Sequence, residues 1–190
     1  MHESPADFIF FAFVLLSDWI FINKGVRAVF IRQAAPSELK DIMDIYDRAR
    51  DYMRTSGNMA QWVNGYPGEG LVLEDIRNGF SHICMDGGRI AAVFSLVTGE
   101  DPTYKEIYDG RWLNENPYGT VHRIAVAIHQ KGVAAFCLDW CLQKCGNVRV
   151  DTHEDNLPMR GLLTKCGFTY CGVIYLPDGS PRFAYQKTEG

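Results

Sequence analysis

The spacing of apolar residues changes period repeatedly along the chain, and each change predicts an element. Residues 30–34 alternate apolar and polar side chains, as a half-buried strand does. Pro36 and Ser37 then predict a helix start with Ser37 as N-cap, and Leu39, Ile42, Met43, Tyr46 and Ala49 form its buried stripe. Residues 51–80 read as helical in pieces, interrupted at Gly57-Asn58 and at 64–68 and resuming over 72–76. Two strands, 82–85 and 89–97, flank Asp86-Gly87-Gly88, where paired glycines supply the positive φ of a tight hairpin turn. A polar, aromatic-rich connection over 99–118 precedes an apolar strand at 120–126.

After Gly132 the period returns to helical, with Val133, Phe136, Cys137, Trp140 and Cys141 on one face and a stop at Gly146-Asn147. A short strand at 148–151 leads to Asn156, an N-cap with Pro158 in the first turn and Gly167 as the stop. Strands 168–175 and 182–187 close the chain as a hairpin. The order β-α-α-β-β-β-α-β-α-β-β predicts an α/β (α+β) domain. Its sheet is mixed, mostly antiparallel and twisted, with helices on both faces.

Residues 1–28 stand apart. Residues 8–16 are apolar throughout, but Asp18 interrupts the window that a membrane span would need, and residues 1–7 carry Glu3 and Asp7 without Lys or Arg. No stable membrane insertion and no signal peptide are expected. A purine-rich stretch can encode residues 23–26, and Val29 can correspond to a GTG start. The expectation is therefore a domain over 29–188 with 1–28 as an apolar extension outside it. If translated, residues 8–22 would favour a homodimer or a docked helix.

The 190 residues suit one domain, and a net charge of −4 argues against nucleic acid as the main partner. Six cysteines without a CxxC pair read as free thiols of a cytoplasmic protein. Cys137, Cys141 and Cys145 share a helix face, but burial explains them better than a metal does. Asp151, His153, Glu154 and Asp155 resemble a helix-capping segment more than a metal cage, so no metal is expected.

The chemistry concentrates at 120–134. A buried strand that enters a helix through a Lys131-Gly132 turn exposes unpaired N–H groups at the positive helix end, which is a phosphate cradle. His122, on the central strand, is the candidate base. Asp151 and His153, at the end of the next strand, are further candidates. Glu100, Asp101 and Tyr104 in the long connection could bind a cationic amine, although a solvated loop is the plainer reading.

The element order, the turn at 129–134 and the segment Asn156-x-x-Met159-x-x-Leu162-Leu163-x-Lys165-x-Gly167-Phe168 together resemble the GNAT superfamily of acetyl-CoA-dependent N-acetyltransferases. The likeness spans about residues 29–188 and implies a GNAT-type sheet of six to seven strands. In that family the strand before the turn binds pantetheine in a β-like manner, which falls here on Ile124, Ala125 and Val126. The motif R/Q-x-x-G-x-G/A falls on His129, Gln130, Lys131, Gly132, Val133 and Ala134, with His129 in place of Arg or Gln and a loop about two residues shorter. The Asn156 side chain would lie near the pantetheine arm.

In many members a tyrosine of the second block protonates the leaving thiolate, and Leu163 stands at that position here. The acid is then expected from Tyr170, Tyr175 or a water. Residues 57–67 fall where the family places its acceptor loop. The chain is also similar to a bacterial subgroup sharing the strings QW (from Gln61), HRIA (from His122), DTHEDN (from Asp151) and DGSPR (from Asp178). The resemblance implies transfer of acetyl from acetyl-CoA, as cosubstrate, to a small-molecule amine acceptor. The alternative is a catalytically idle sensor that binds CoA or a metabolite.

Overall fold

The computed structural model describes residues 21–23, 27–127 and 132–189. Its strands are β1 (Phe21–Asn23), β2 (Arg27–Gln33), β3 (Ser81–Asp86), β4 (Arg89–Thr98), β5 (Gly119–Val126), β6 (Asn147–Thr152), β7 (Thr169–Tyr175) and β8 (Pro181–Thr188). They form one sheet in the order β1-β2-β3-β4-β5-β6-β8-β7. Every neighbouring pair is antiparallel except β5 and β6. Seven of these strands are the expected set, and β1 adds an eighth by pairing Phe21 with Val29. Residues 1–20 and 24–26 of the apolar extension lie outside the described residues.

Helices α1 (Leu39–Thr55), α2 (Glu69–Arg77), α3 (Val133–Cys145) and α4 (Leu157–Lys165) cover the sheet. Side-chain alternation decides which face each covers. Ile83 and Val93 join Ile42, Ile45, Tyr46, Val72 and Ile76 in one core under α1 and α2. Their neighbours Cys84 and Phe94 join Cys137, Leu138, Cys141 and Leu163 in a second core under α3 and α4.

Helix α1 differs from expectation at its start. Pro36–Glu38 form a 3-10 turn, and Glu38 rather than Ser37 meets the chain end, its carboxylate accepting the Ala35 N–H at 2.8 Å and gripping Arg32. A carboxylate also suits the positive end of the helix better than a hydroxyl does. Elsewhere the end signals hold: Asn156 Oδ1 accepts the Met159 N–H at 3.2 Å, and Gly146 closes α3 at φ +66°.

The 99–118 connection is packed rather than loose. It lies against β6, β7 and β8, where Tyr104 and Trp112 join Cys171, Ile174 and Ala184 in a third apolar cluster. The guanidinium of buried Arg149 is sandwiched 4.0 Å from the rings of both Trp112 and Tyr118, and donates to Asn114 O at 2.8 Å. Gly110 and Gly172 allow the backbones to touch, since a Cβ on Gly110 would sit 1.9 Å from Cys171 O. This docking carries Asp101 to the centre of the sheet.

Candidate active site

Strands β5 and β6 pair over Gly119–Val121 and Val148–Val150 and then separate. The cause is local. The register between β4 and β5 slips between Val93 and Ser95, so Arg123 and Ile124 bulge out of the ladder. Arg123 adopts φ +54°, a conformation rare for a residue with a side chain. It is held there by buried Asp75 of α2, which its Nη2 contacts, and by the Tyr66 hydroxyl, to which its Nη1 donates at 3.2 Å.

The separated strands enclose a cavity of about 790 Å³. Residues 121–124 and 150–152 form its floor, residues 60–66 one wall, and Leu176, Pro177, Asp178, Ser180 and Arg182 of the β7–β8 hairpin another. The first wall is pinned from three sides. Trp62 packs edge-on against Tyr46, with ring centres 5.6 Å apart. Arg50 donates to Tyr66 O at 3.2 Å. Gln61 Oε1 accepts from both Asn58 and Asn156, at 2.9 and 3.0 Å. The expected N-cap of α4 thus also ties the 60–66 wall to the far side of the cleft.

His122 lines the cavity, and its Nε2 lies 3.0 Å from Asp101 Oδ2. Asp101 also accepts from Thr103 N and Thr103 Oγ1 through Oδ1, at 2.9 and 2.6 Å. Burial alone would raise the Asp101 pKa, but the bonds from His122 and Thr103 overcome it and bring the group to about 2. In the tautomer with its proton on Nε2, His122 donates to Asp101, and Nδ1 is then the ring's acceptor. The sequence leaves Asp101 between a solvated loop and an amine-binding position; its hydrogen bonds instead make it the partner of His122.

Asp151 also lines the cavity, and its Oδ1 accepts from Tyr104 Oη at 2.6 Å. Burial first, then the Asp151 charge and hydrogen bond, push the Tyr104 pKa far up, so this tyrosine remains a donor. Its ring stands edge-on to His122, 6.0 Å between centres, and so links the two acidic positions.

His153 sits differently. Its Nδ1 accepts from Asp155 N at 3.2 Å within the turn before α4, and the cavity lining does not include it. Tyr170 is half-exposed on β7, packed edge-on against Phe183 and Tyr185, and also lies outside the lining, as does Tyr175. Leu163 is fully buried in the core under α4. The tyrosine that does reach the cavity is Tyr66, from the 60–66 wall.

The cradle at the start of α3 is partly visible. Gly132, at φ +100°, opens the helix with no side-chain cap, so the first-turn amides, including those of Val133 and Ala134, keep their hydrogen-bonding capacity. On β5, the edge facing β6 has no strand partner beyond Val121, which leaves backbone groups in the 122–126 stretch open to an extended ligand. His129, Gln130 and Lys131 lie outside the described residues. Among the described residues no group of three or more His, Cys, Asp or Glu is arranged to hold a metal ion, and no helix is long and apolar enough to cross a membrane.

No protein-family model matches the sequence, and no curated protein does either. Solved structures do. A GNAT-family acetyltransferase from Streptococcus agalactiae 2603 is 36% identical, with a TM-score of 0.79, over 85% of this chain and 96% of its own. A second, from Listeria monocytogenes 4b F2365, shares the fold at 18% identity and a TM-score of 0.66, over 89% of this chain and 99% of its own. A NatC complex bound to Gag peptide and CoA shares it at 12% identity and a TM-score of 0.56, over 84% of this chain and 98% of its own. On its sheet order, its split central strands and the identity shared along nearly the whole streptococcal enzyme, the chain belongs to the GNAT family of acetyltransferases.

Proposed function

We propose that the protein transfers the acetyl group of acetyl-CoA to the primary amine of a small, amino-acid-like acceptor by direct attack, within a domain spanning residues 29–188. The observation that carries the reading is the Asp101–His122 pair at the mouth of the split between β5 and β6. The uncapped α3 N-terminus suits the pyrophosphate of CoA, and the open edge of β5 at Ile124, Ala125 and Val126 suits its pantetheine arm. A structure of this fold has been solved with CoA bound. Six unbridged cysteines suit the reducing cytoplasm.

In the proposed reaction His122 Nδ1 takes a proton from the acceptor ammonium. The freed nitrogen lone pair attacks the acetyl carbonyl carbon, an N–C bond forms and the C–S bond breaks. CoA leaves as thiolate and takes a proton from the Tyr66 hydroxyl, which lines the cavity; the proton still carried by the new amide nitrogen passes to water, from which Tyr66 is reprotonated. Asp101 holds the imidazole and Asp151 attracts the ammonium. Most of the acceleration comes from holding two reactants together and from acid–base help. Release of free thiol from acetyl-CoA with a panel of primary amines tests this. Amine-dependent release supports transfer, whereas stabilisation by acetyl-CoA without release for any amine would overturn it in favour of a sensor.

A further inference from the structure

Within the cavity, most charged groups are hydrogen-bonded by near neighbours. Arg123 is paired with Asp75, Asp101 with His122, and Asp178 is taken up by Ser180 in the hairpin turn. Arg182 and Asp151 form the loosest of these pairs. They line the cavity side by side, yet Arg182 Nε lies 3.9 Å from Asp151 Oδ2, beyond hydrogen-bonding distance. Arg182 is 8% exposed. Its hydrogen-bond partner among the described residues is Pro181 O, which Nη1 meets at 2.8 Å, and the Asp178 carboxylate interacts with it through charge alone. Most of its five N–H donors are therefore uncommitted. Asp151 accepts from Tyr104 through Oδ1 and keeps Oδ2 available.

A buried guanidinium with spare donors is costly unless something accepts from them. A ligand that carries both charges, a carbon or two apart, satisfies Arg182 and Asp151 together. We infer that the acceptor is a free amino acid whose carboxylate is bound by Arg182 while its ammonium lies between Asp151 and His122. This rests on the transferase reading above and narrows its substrate class. Arg182 is then a specificity residue: it distinguishes a free amino acid from an amide, a decarboxylated amine or a peptide N-terminus, each of which leaves the guanidinium unpaired.

Thiol release from acetyl-CoA, compared across free amino acids, their α-amides and the corresponding decarboxylated amines, decides the matter on the unmodified protein. The free acids should exceed their amides by about ten- to a hundredfold in kcat/KM, the worth of a charge-assisted hydrogen bond. R182Q should remove that preference by raising KM for the acids about ten- to a hundredfold more than for the amides, and R182K should retain part of it. Amides or plain amines used as well as the acids, or an equal loss for all acceptors in R182Q, would overturn the inference and leave the transferase reading intact. Thiol release with no acceptor of any kind would remove both.

Discussion

His122 and Asp101 stand 21 residues apart in the chain and meet because the 99–118 connection is folded down onto the sheet. Their roles separate in the expected phenotypes. H122Q removes the base, and kcat should fall by about 10²–10⁴. D101N loses the charge that holds the ring, and kcat should fall by about ten- to a hundredfold with KM for acetyl-CoA unchanged, read by thiol release. The same pair has a stability consequence with a definite sign. The carboxyl titrates at 3.8 when free and at about 2 when folded, so its contribution is present above pH 4 and is lost as pH falls toward 2. Urea unfolding of the wild type should weaken across that window, and D101N should show a flatter dependence there.

At the scale of elements, the bulge in β5 depends on α2. Arg123 could not hold φ +54° in a strand without Asp75 beneath it and Tyr66 beside it. D75A strands a guanidinium whose side chain is 9% exposed, and should cost about 3–5 kcal/mol, seen as a lower melting temperature. The split that makes the cleft belongs to this pairing as much as to β5 itself. The elements were legible in the sequence because their signals are local: the paired glycines at 87–88, the Asn156 cap and the Gly146 stop act within one turn. The start of α1 was read one residue early because Ser37 and Glu38 both suit a helix end, and Arg32 from β2 favours Glu38.

For the molecule as a whole, acetyl-CoA should act as a structural ligand. It would bridge β5 and the α3 N-terminus, which no strand or cap joins among the described residues. A ligand that binds only the folded state stabilises it by about 2.7 kcal/mol at a hundredfold excess over its Kd. A rise in melting temperature that saturates with acetyl-CoA is therefore expected, and its absence with any acyl-CoA would oppose the cofactor assignment. The site itself was only half legible. His122 was chosen for residue type on the central strand and Asp151 at the end of the next, and both line the cavity. Tyr170 was chosen on type as well, but the alternation of β7 turns it toward Phe183 and Tyr185.

What the sequence determined by itself was the order of elements and the faces they bury, since periodicity and caps are properties of neighbouring residues. What only the tertiary structure decided was partnership. That Asp101 serves His122, that Asp75 holds Arg123, that Arg149 anchors the long connection and that Arg182 stands half-satisfied beside Asp151 are contacts between segments far apart in the chain. Such pairings depend on sheet register and on the close approach of Gly110 to Cys171, which composition and spacing do not encode.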